Sequence, residues 1–220
     1  MNIIFDLDGT LIDSAPDIQY VANTVLQRRG LTPITIEQTR SFVGEGAKVF
    51  VQKMMDARAM QDPDGHFDEV HAEFIAVYEG AVERAVFYPG VQETLEELAN
   101  EGHALALCTN KPEAPTRAVL SHMGLDAVFP VVVAGGMLPT RKPDPEMLLE
   151  ANALAGGGAA LYVGDSEIDA QTAKRAEIPF ALFTEGYRKR PWRRCTTTSC
   201  SASSPNSRLS WRVPSAIRSP

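Results

Sequence analysis

Ile3-Ile4-Phe5-Asp6-Leu7-Asp8-Gly9-Thr10 sets a short apolar run against two carboxylates and a glycine. The run reads as a buried strand; Asp6 and Asp8 follow where it ends, and Gly9 lets the backbone turn away. Two unit negative charges about 4 Å apart repel by roughly 4 kcal/mol at an effective dielectric near 20, so the pair requires a cation or a shared proton. Three later segments share the setting, each just past an expected strand or at the opening of an expected helix: Thr109-Asn110, Lys142-Pro143-Asp144-Pro145 and Gly164-Asp165-Ser166-Glu167-Ile168-Asp169. Asp165 adds a third carboxylate. An oxygen-only set with no His or Cys nearby in sequence suits Mg²⁺, and the four segments together point to phosphate chemistry.

The pattern around these segments predicts an α/β fold. Apolar runs at 104–107, 131–133, 160–163 and 180–183 read as strands, and helical patterns at 91–100, 112–123, 145–154 and 167–176 fall around them, several closed by glycine. Such alternation predicts a three-layer, Rossmann-like parallel sheet with both faces covered and ligands beyond the carboxyl ends of its strands. Between Leu11 and Tyr88 the strand signal disappears. Ser14-Ala15-Pro16-Asp17 reads as a capping box opening a helix, with further helices after Thr35, over 47–60 and from Phe67, and turn chemistry at Gln61-Asp62-Pro63-Asp64-Gly65. The expected organisation is a catalytic core of residues 1–14 and 88–187 and an inserted helical cap of residues 15–87, with hinges at the two crossings.

Composition narrows the function classes. The 220-residue chain carries a formal charge of −7, but residues 188–220 hold eight Lys or Arg and no acid, leaving −15 on residues 1–187. That acidic body argues against nucleic acid and for small, metal-complexed substrates. No apolar stretch approaches the roughly 18 residues of a membrane span, and the chain enters its first strand almost at once, so neither a leader nor a membrane partner is expected and a cytoplasmic location is. Cys108, Cys195 and Cys200 show no paired spacing, as in a reducing compartment. His66, His71, His103 and His122 sit in turns or at element ends and are assigned no chemistry.

In their order and spacing, Phe5-Asp6-Leu7-Asp8-Gly9-Thr10-Leu11, Phe42-Val43-Gly44-Glu45-Gly46-Ala47, Tyr88-Pro89-Gly90-Val91, Cys108-Thr109-Asn110-Lys111-Pro112, Lys142-Pro143-Asp144-Pro145, Val163-Gly164-Asp165-Ser166 with Asp169, and Phe183-Thr184-Glu185-Gly186-Tyr187-Arg188 make up a family pattern. Over residues 1–188 the chain resembles the haloacid-dehalogenase-like hydrolase superfamily, in its capped subgroup that includes bacterial phosphoglycolate phosphatases. The resemblance implies Mg²⁺-dependent phosphomonoester hydrolysis through an aspartyl-phosphate, with 2-phosphoglycolate as the expected small phosphorylated metabolite. It implies Asp6 as nucleophile, Asp8 as general acid and then base, and Thr109 and Lys142 as partners of the phosphoryl group. Asp6, Asp8 (through its carbonyl), Asp165 and Asp169 would form the magnesium site. Thr10, Asn110 and the cap loop Gly44-Glu45-Gly46 would contact substrate, whose small size the two glycines favour. A monomer or homodimer is expected.

Within the superfamily, Asp8 argues against a dehalogenase, which has no leaving alcohol to protonate. The cap lysines Lys48 and Lys53 lack the desolvated setting of a Schiff-base lysine. Another small-substrate phosphatase, a pyrophosphatase, a sugar-phosphate mutase or a non-catalytic phosphate-binding paralogue are the alternatives. Two departures stand out. Glu177 occupies a turn position before Ile178-Pro179 where relatives commonly have glycine. Residues 188–220 read as a basic, disordered tail, and from about Arg190 the loss of acids and periodicity suggests out-of-frame translation.

Overall fold

A computed structural model describes residues 1–60 and 66–189; the turn expected at 61–65 and the tail expected beyond Lys189 lie outside the described residues. In chain order the first part comprises β1 (Asn2–Phe5), β2 (Ile12–Asp13), α1 (Ala15–Arg28), α2 (Ile36–Phe42), α3 (Ala47–Asp56), α4 (His66–Tyr78) and β3 (Val86–Phe87). The second comprises α5 (Val91–Asn100), β4 (Ala104–Pro112), α6 (Glu113–His122), β5 (Val131–Gly135), α7 (Glu146–Leu154), β6 (Ala160–Gly164), α8 (Glu167–Ala176) and β7 (Phe180–Leu182).

Five strands form a parallel sheet in the order β5-β4-β1-β6-β7. Every residue of β1 is buried because helices cover both faces. Side chains alternate across a strand, so Ile3 and Phe5 pack with Leu95 of α5 and Leu120 of α6, while Ile4 packs with Met147 and Leu148 of α7. Phe5 pairs with Leu107 on one side and Val163 on the other, which puts Asp6, Cys108 and Gly164 next along the same sheet edge. The strand order reverses at β1, and that switch point is where an open parallel sheet leaves a crevice.

The helices α1 to α4 bury a separate cluster that includes Ile18, Val25, Phe50, Met54, Val70 and Phe74. Phe42, Phe50, Phe74 and Tyr78 form a chain of ring contacts with successive centroid distances of 5.9, 5.3 and 5.4 Å, ending at the crevice.

Three local features differ from the sequence-based expectations. The helical stretch is entered and left through two strands, β2 and β3, which pair antiparallel with Ile12 opposite Phe87 and Asp13 opposite Val86; two-residue strands are too short to show a period. Strand β4 runs on to Pro112, with a register shift against β5 between Cys108 and Pro112. Irregularities of this kind re-aim side chains, here Thr109 to Lys111. Third, Ser14 makes no side-chain cap on α1. Its hydroxyl donates to Asp8 Oδ1 at 2.5 Å, and Asp17, buried, accepts the N–H groups of Arg84 (3.0 Å) and Ala85 (2.8 Å). The expected box gives way to tertiary partners that join α1 to the segment leading into β3.

Glu177 closes α8 at φ 56°, ψ 29°, in the left-handed region. A side chain there costs roughly 1–2 kcal/mol that glycine avoids. Glu177→Gly is therefore expected to stabilise the protein by about 1 kcal/mol and raise Tm by about 2–4 °C in a thermal melt.

Candidate active site

The site is built at the sheet edge. The N–H of Asp6 donates to the Val163 carbonyl at 2.9 Å, and Gly9, at φ 84°, folds the chain back so that its own N–H reaches the Ile12 carbonyl at 2.9 Å. Glycine is required there for a second reason: a Cβ on Gly9 would lie 2.6 Å from Asp165 Oδ2. Gly164 is under the same constraint, with a Cβ 2.6 Å from Asp169 Cγ. Small residues let the acidic side chains crowd together.

Lys142 sits at the centre of the buried charge. Its Nζ lies 2.9 Å from Asp6 Oδ1, 2.7 Å from Asp169 Oδ1 and 2.9 Å from the Tyr162 hydroxyl. Burial is the largest influence on each group, and the outcome depends on the neighbours. Burial, helped by the charges of Asp169 and Asp8, pushes the Asp6 carboxyl up to about 7 against the pull of Lys142. Burial and the charges of Asp169 and Asp6 hold Asp165 well above the usual carboxylate range. Asp169 stays below it despite burial, because Lys142, Ser166 and Tyr162 stabilise its charge. Burial disfavours the Lys142 ammonium, but Asp169 and Asp6 outweigh it, so this lysine holds its proton more tightly than an ordinary one.

The donor set fits a hard cation. Oxygen atoms of Asp6, Asp165 and Asp169 all lie within 4.8 Å of one another. Asp6 Oδ1 is buried with no aligned hydrogen bond, although Lys142 is close. Asp165 accepts one bond on each oxygen, from Thr10 Oγ1 (3.0 Å) and the Tyr187 N–H (2.5 Å), so both retain a free lone pair. Asp169 differs: Oδ1 accepts from Lys142 and Tyr162, and Oδ2 accepts from the N–H (3.1 Å) and hydroxyl (2.5 Å) of Ser166. Its oxygens are occupied by protein donors, and its visible task is to anchor Lys142. One lysine against three buried carboxylates leaves negative charge for a cation to offset.

A pocket between the sheet edge and the helical insertion is lined by Asp6, Asp8, Thr109, Asn110, Lys111 and, from the insertion, Tyr78 among others. The Asn110 amide donates to the carbonyls of Gly44 and Lys142, both at 3.0 Å, and accepts the Lys142 N–H at 2.9 Å. It thus joins the Gly44 loop to the loop carrying Lys142. Gly44 and Gly46 line the pocket, whereas Glu45 does not: its carboxylate pairs with Lys53 at 2.5 Å and Lys189 at 3.3 Å. Thr10 is fully buried with its hydroxyl on Asp165. Sequence reasoning assigned no role to Lys111, whose Nζ lies 3.2 Å from Asp8 Oδ1 and donates to the Tyr78 hydroxyl at 2.5 Å. The signal for it was its place directly after Thr109-Asn110, in the stretch that follows the apolar β4 run.

The family model described as haloacid dehalogenase-like hydrolase matches residues 3–183. The chain belongs to the haloacid dehalogenase-like hydrolase family. Among curated members, it is 50% identical over 190 residues to a phosphoglycolate phosphatase of Rhodobacter capsulatus, covering 86% of each chain. It is 38% identical over 192 residues to one of Pseudomonas fluorescens (strain Pf0-1), covering 84% of this chain and 70% of that one. Its fold superposes with a TM-score of 0.80 on the crystal structure of a predicted phosphoglycolate phosphatase from Haemophilus somnus 129pt, at 31% identity over 85% of this chain and 86% of that one. The α/β sheet with helices inserted after β2 is thus the architecture of this hydrolase family.

A cation held by the acid cluster binds the folded chain and not the unfolded one, so it stabilises by about 2.7 kcal/mol at a hundredfold excess over its Kd. Titrating Mg²⁺ into protein stripped with EDTA is expected to raise Tm, and by more at pH 8 than at pH 6. The sign follows from Asp6, whose proton, retained up to about pH 7, competes with the metal at the lower pH. In the metal-free protein the same raised carboxyl makes stability fall as pH climbs from 4 through 7. Asp165→Asn is expected to remove most of the Mg²⁺-dependent rise.

Proposed function

We propose that the protein is a Mg²⁺-dependent phosphoglycolate phosphatase that cleaves 2-phosphoglycolate to glycolate and phosphate through a phosphorylated Asp6. The observation that carries this reading is that Asp6 and Asp8 line one small pocket, with Lys142 behind Asp6. The names of the curated relatives supply the substrate.

In this reading an Asp6 carboxylate oxygen attacks phosphorus in line with the leaving oxygen. The bond from phosphorus to glycolate oxygen breaks, and Asp8 gives that oxygen its proton. Water then attacks phosphorus, Asp8 takes the water's proton, and the bond to Asp6 breaks to restore the carboxylate. Lys142 orients Asp6 and offsets charge on the phosphoryl oxygens, with Thr109 and the backbone of Asn110 as hydrogen-bond partners. Asp6, Asp165 and the Asp8 carbonyl would hold Mg²⁺, with Asp169 acting chiefly through Lys142; the ion would neutralise phosphoryl oxygens as charge develops. Thr10 supports the site through Asp165, and Gly44 and Gly46 shape its wall.

The proposed organisation is a core of residues 1–14 and 88–187 and a cap of residues 15–87. It is supported by the self-contained cluster of α1 to α4 and by cap residues lining the pocket. The proposed setting is cytoplasmic, as a monomer or homodimer with no membrane or nucleic-acid partner. Among the described residues no helix is long and apolar enough to cross a membrane.

The deciding assay is phosphate release from 2-phosphoglycolate beside sugar phosphates, nucleotides and pyrophosphate. Selective release that stops with EDTA and with Asp6→Asn supports the reading; equal or absent release from 2-phosphoglycolate by folded protein refutes it. Asp8→Asn is expected to lower turnover by about 10²–10⁴-fold. Lys142→Met leaves Asp6 and Asp169 buried without their counter-charge and is expected to cost about 3–5 kcal/mol in metal-free denaturant unfolding, as well as activity.

A further inference from the structure

Among the described residues lining the pocket, Lys111 is the sole cation. It projects from the irregular end of β4, and its buried ammonium lies at the seam between sheet edge and helical insertion. On one side is Asp8 Oδ1 at 3.2 Å; on the other is the Tyr78 hydroxyl at 2.5 Å, with the Tyr78 ring centroid 4.3 Å away. The wall contributed by the insertion is otherwise largely apolar, with Ile18, Val43, Phe50 and Phe74. Such a wall offers little to a sugar or a nucleobase, and it makes the single ammonium the dominant recognition feature.

The order of groups along the pocket matters. A phosphoryl group at Asp6 directs its leaving oxygen to Asp8, and the atoms beyond that oxygen meet the group next to Asp8, which is Lys111. A carboxylate one methylene from the leaving oxygen would therefore face Lys111 Nζ and the Tyr78 hydroxyl, which lie together beside Asp8. Helix α3 adds to the bias toward an anion: Gly46 and Ala47 border the pocket, Gly46 supplies no side-chain cap, and the first turn holds no acid.

We propose that Lys111, assisted by Tyr78, is the specificity-determining subsite that binds a carboxylate on the leaving group; the inference rests on the phosphoglycolate reading and identifies how that site selects its substrate. A charge-assisted contact inside an apolar wall discriminates, because a substrate lacking the carboxylate leaves the Lys111 ammonium with only Asp8 and the Tyr78 hydroxyl as partners. Lys142 serves the phosphoryl end and Lys111 the leaving-group end.

The test compares kcat/KM for 2-phosphoglycolate and for ethyl phosphate, which replaces the carboxylate by a methyl group, in the wild type, Lys111→Met, Lys111→Arg and Tyr78→Phe, all with Mg²⁺. The wild type is expected to prefer 2-phosphoglycolate. Lys111→Met is expected to slow both substrates through the loss of Asp8's partner, but to shrink the preference by about 10–100-fold, mainly through KM. Lys111→Arg should keep part of the preference, and Tyr78→Phe should reduce it by several-fold. If Lys111→Met is misfolded by circular dichroism, Tyr78→Phe and Lys111→Arg carry the same comparison. Equal losses on both substrates, or an unchanged preference, overturn the proposal while leaving the phosphoglycolate reading intact. A wild type with no preference for 2-phosphoglycolate overturns both.

Discussion

The contact on which the site depends is the ammonium of Lys142 held between Asp6 and Asp169. At about 3 Å and an effective dielectric near 20, each such attraction amounts to roughly 5–6 kcal/mol, enough to offset much of the cost of burying these groups but not to neutralise three carboxylates. The fold is arranged to deliver that one nitrogen. Asp6 comes from β1, Asp169 from the first turn of α8, and Lys142 from the loop between β5 and α7. Asn110 grips the Lys142 backbone by both its N–H and its carbonyl, so the loop is positioned from β4 rather than by its own sequence. The charge left over after pairing is what a metal ion could offset in this cluster.

Around that centre the work divides by layer. The sheet edge supplies charge and rigid backbone, with strands in register so that consecutive positions on β1, β4 and β6 meet. The inserted helices supply an apolar wall, and their aromatic contacts run from Phe42 to Tyr78, whose hydroxyl meets the core at Lys111. Rigid reacting groups on one side and shape on the other is the economical way to place a small anion against a nucleophile.

Much of this was legible in the sequence because it rests on periodicity and on paired signals. The helices over 91–100 and 167–176 lie where the apolar spacing and the terminal residues put them, and Glu177 has the left-handed backbone its turn position implied. What stayed hidden was tertiary. Ser14 and Asp17 have the residue types of a cap, yet Asp8 and the N–H groups of Arg84 and Ala85 compete for them and prevail. Strands β2 and β3 exist through pairing across a long separation in sequence, which no local pattern reports. Glu45 sits between two pocket glycines, but Lys53 and Lys189 pair with its carboxylate away from the pocket lining. Lys111 drew no assignment from the sequence, because its place in the pocket depends on the irregular end of β4, which no local pattern reports.

The antiparallel pair of β2 and β3 has a consequence for how the chain tolerates change. Because Ile12 lies against Phe87 and Asp13 against Val86, the ends of the long helical excursion are closed on each other before the rest of the sheet is reached. Viewed from the sheet, the connection is a short loop, and the entropy of closing the excursion is offset locally at that ribbon rather than charged to the parallel strands. The register of β1 with β4 and β6 is set by pairs within the sheet that involve no residue of α2 or α3. The pocket wall that the insertion supplies is therefore free to diverge at a different pace from the acid cluster beneath it.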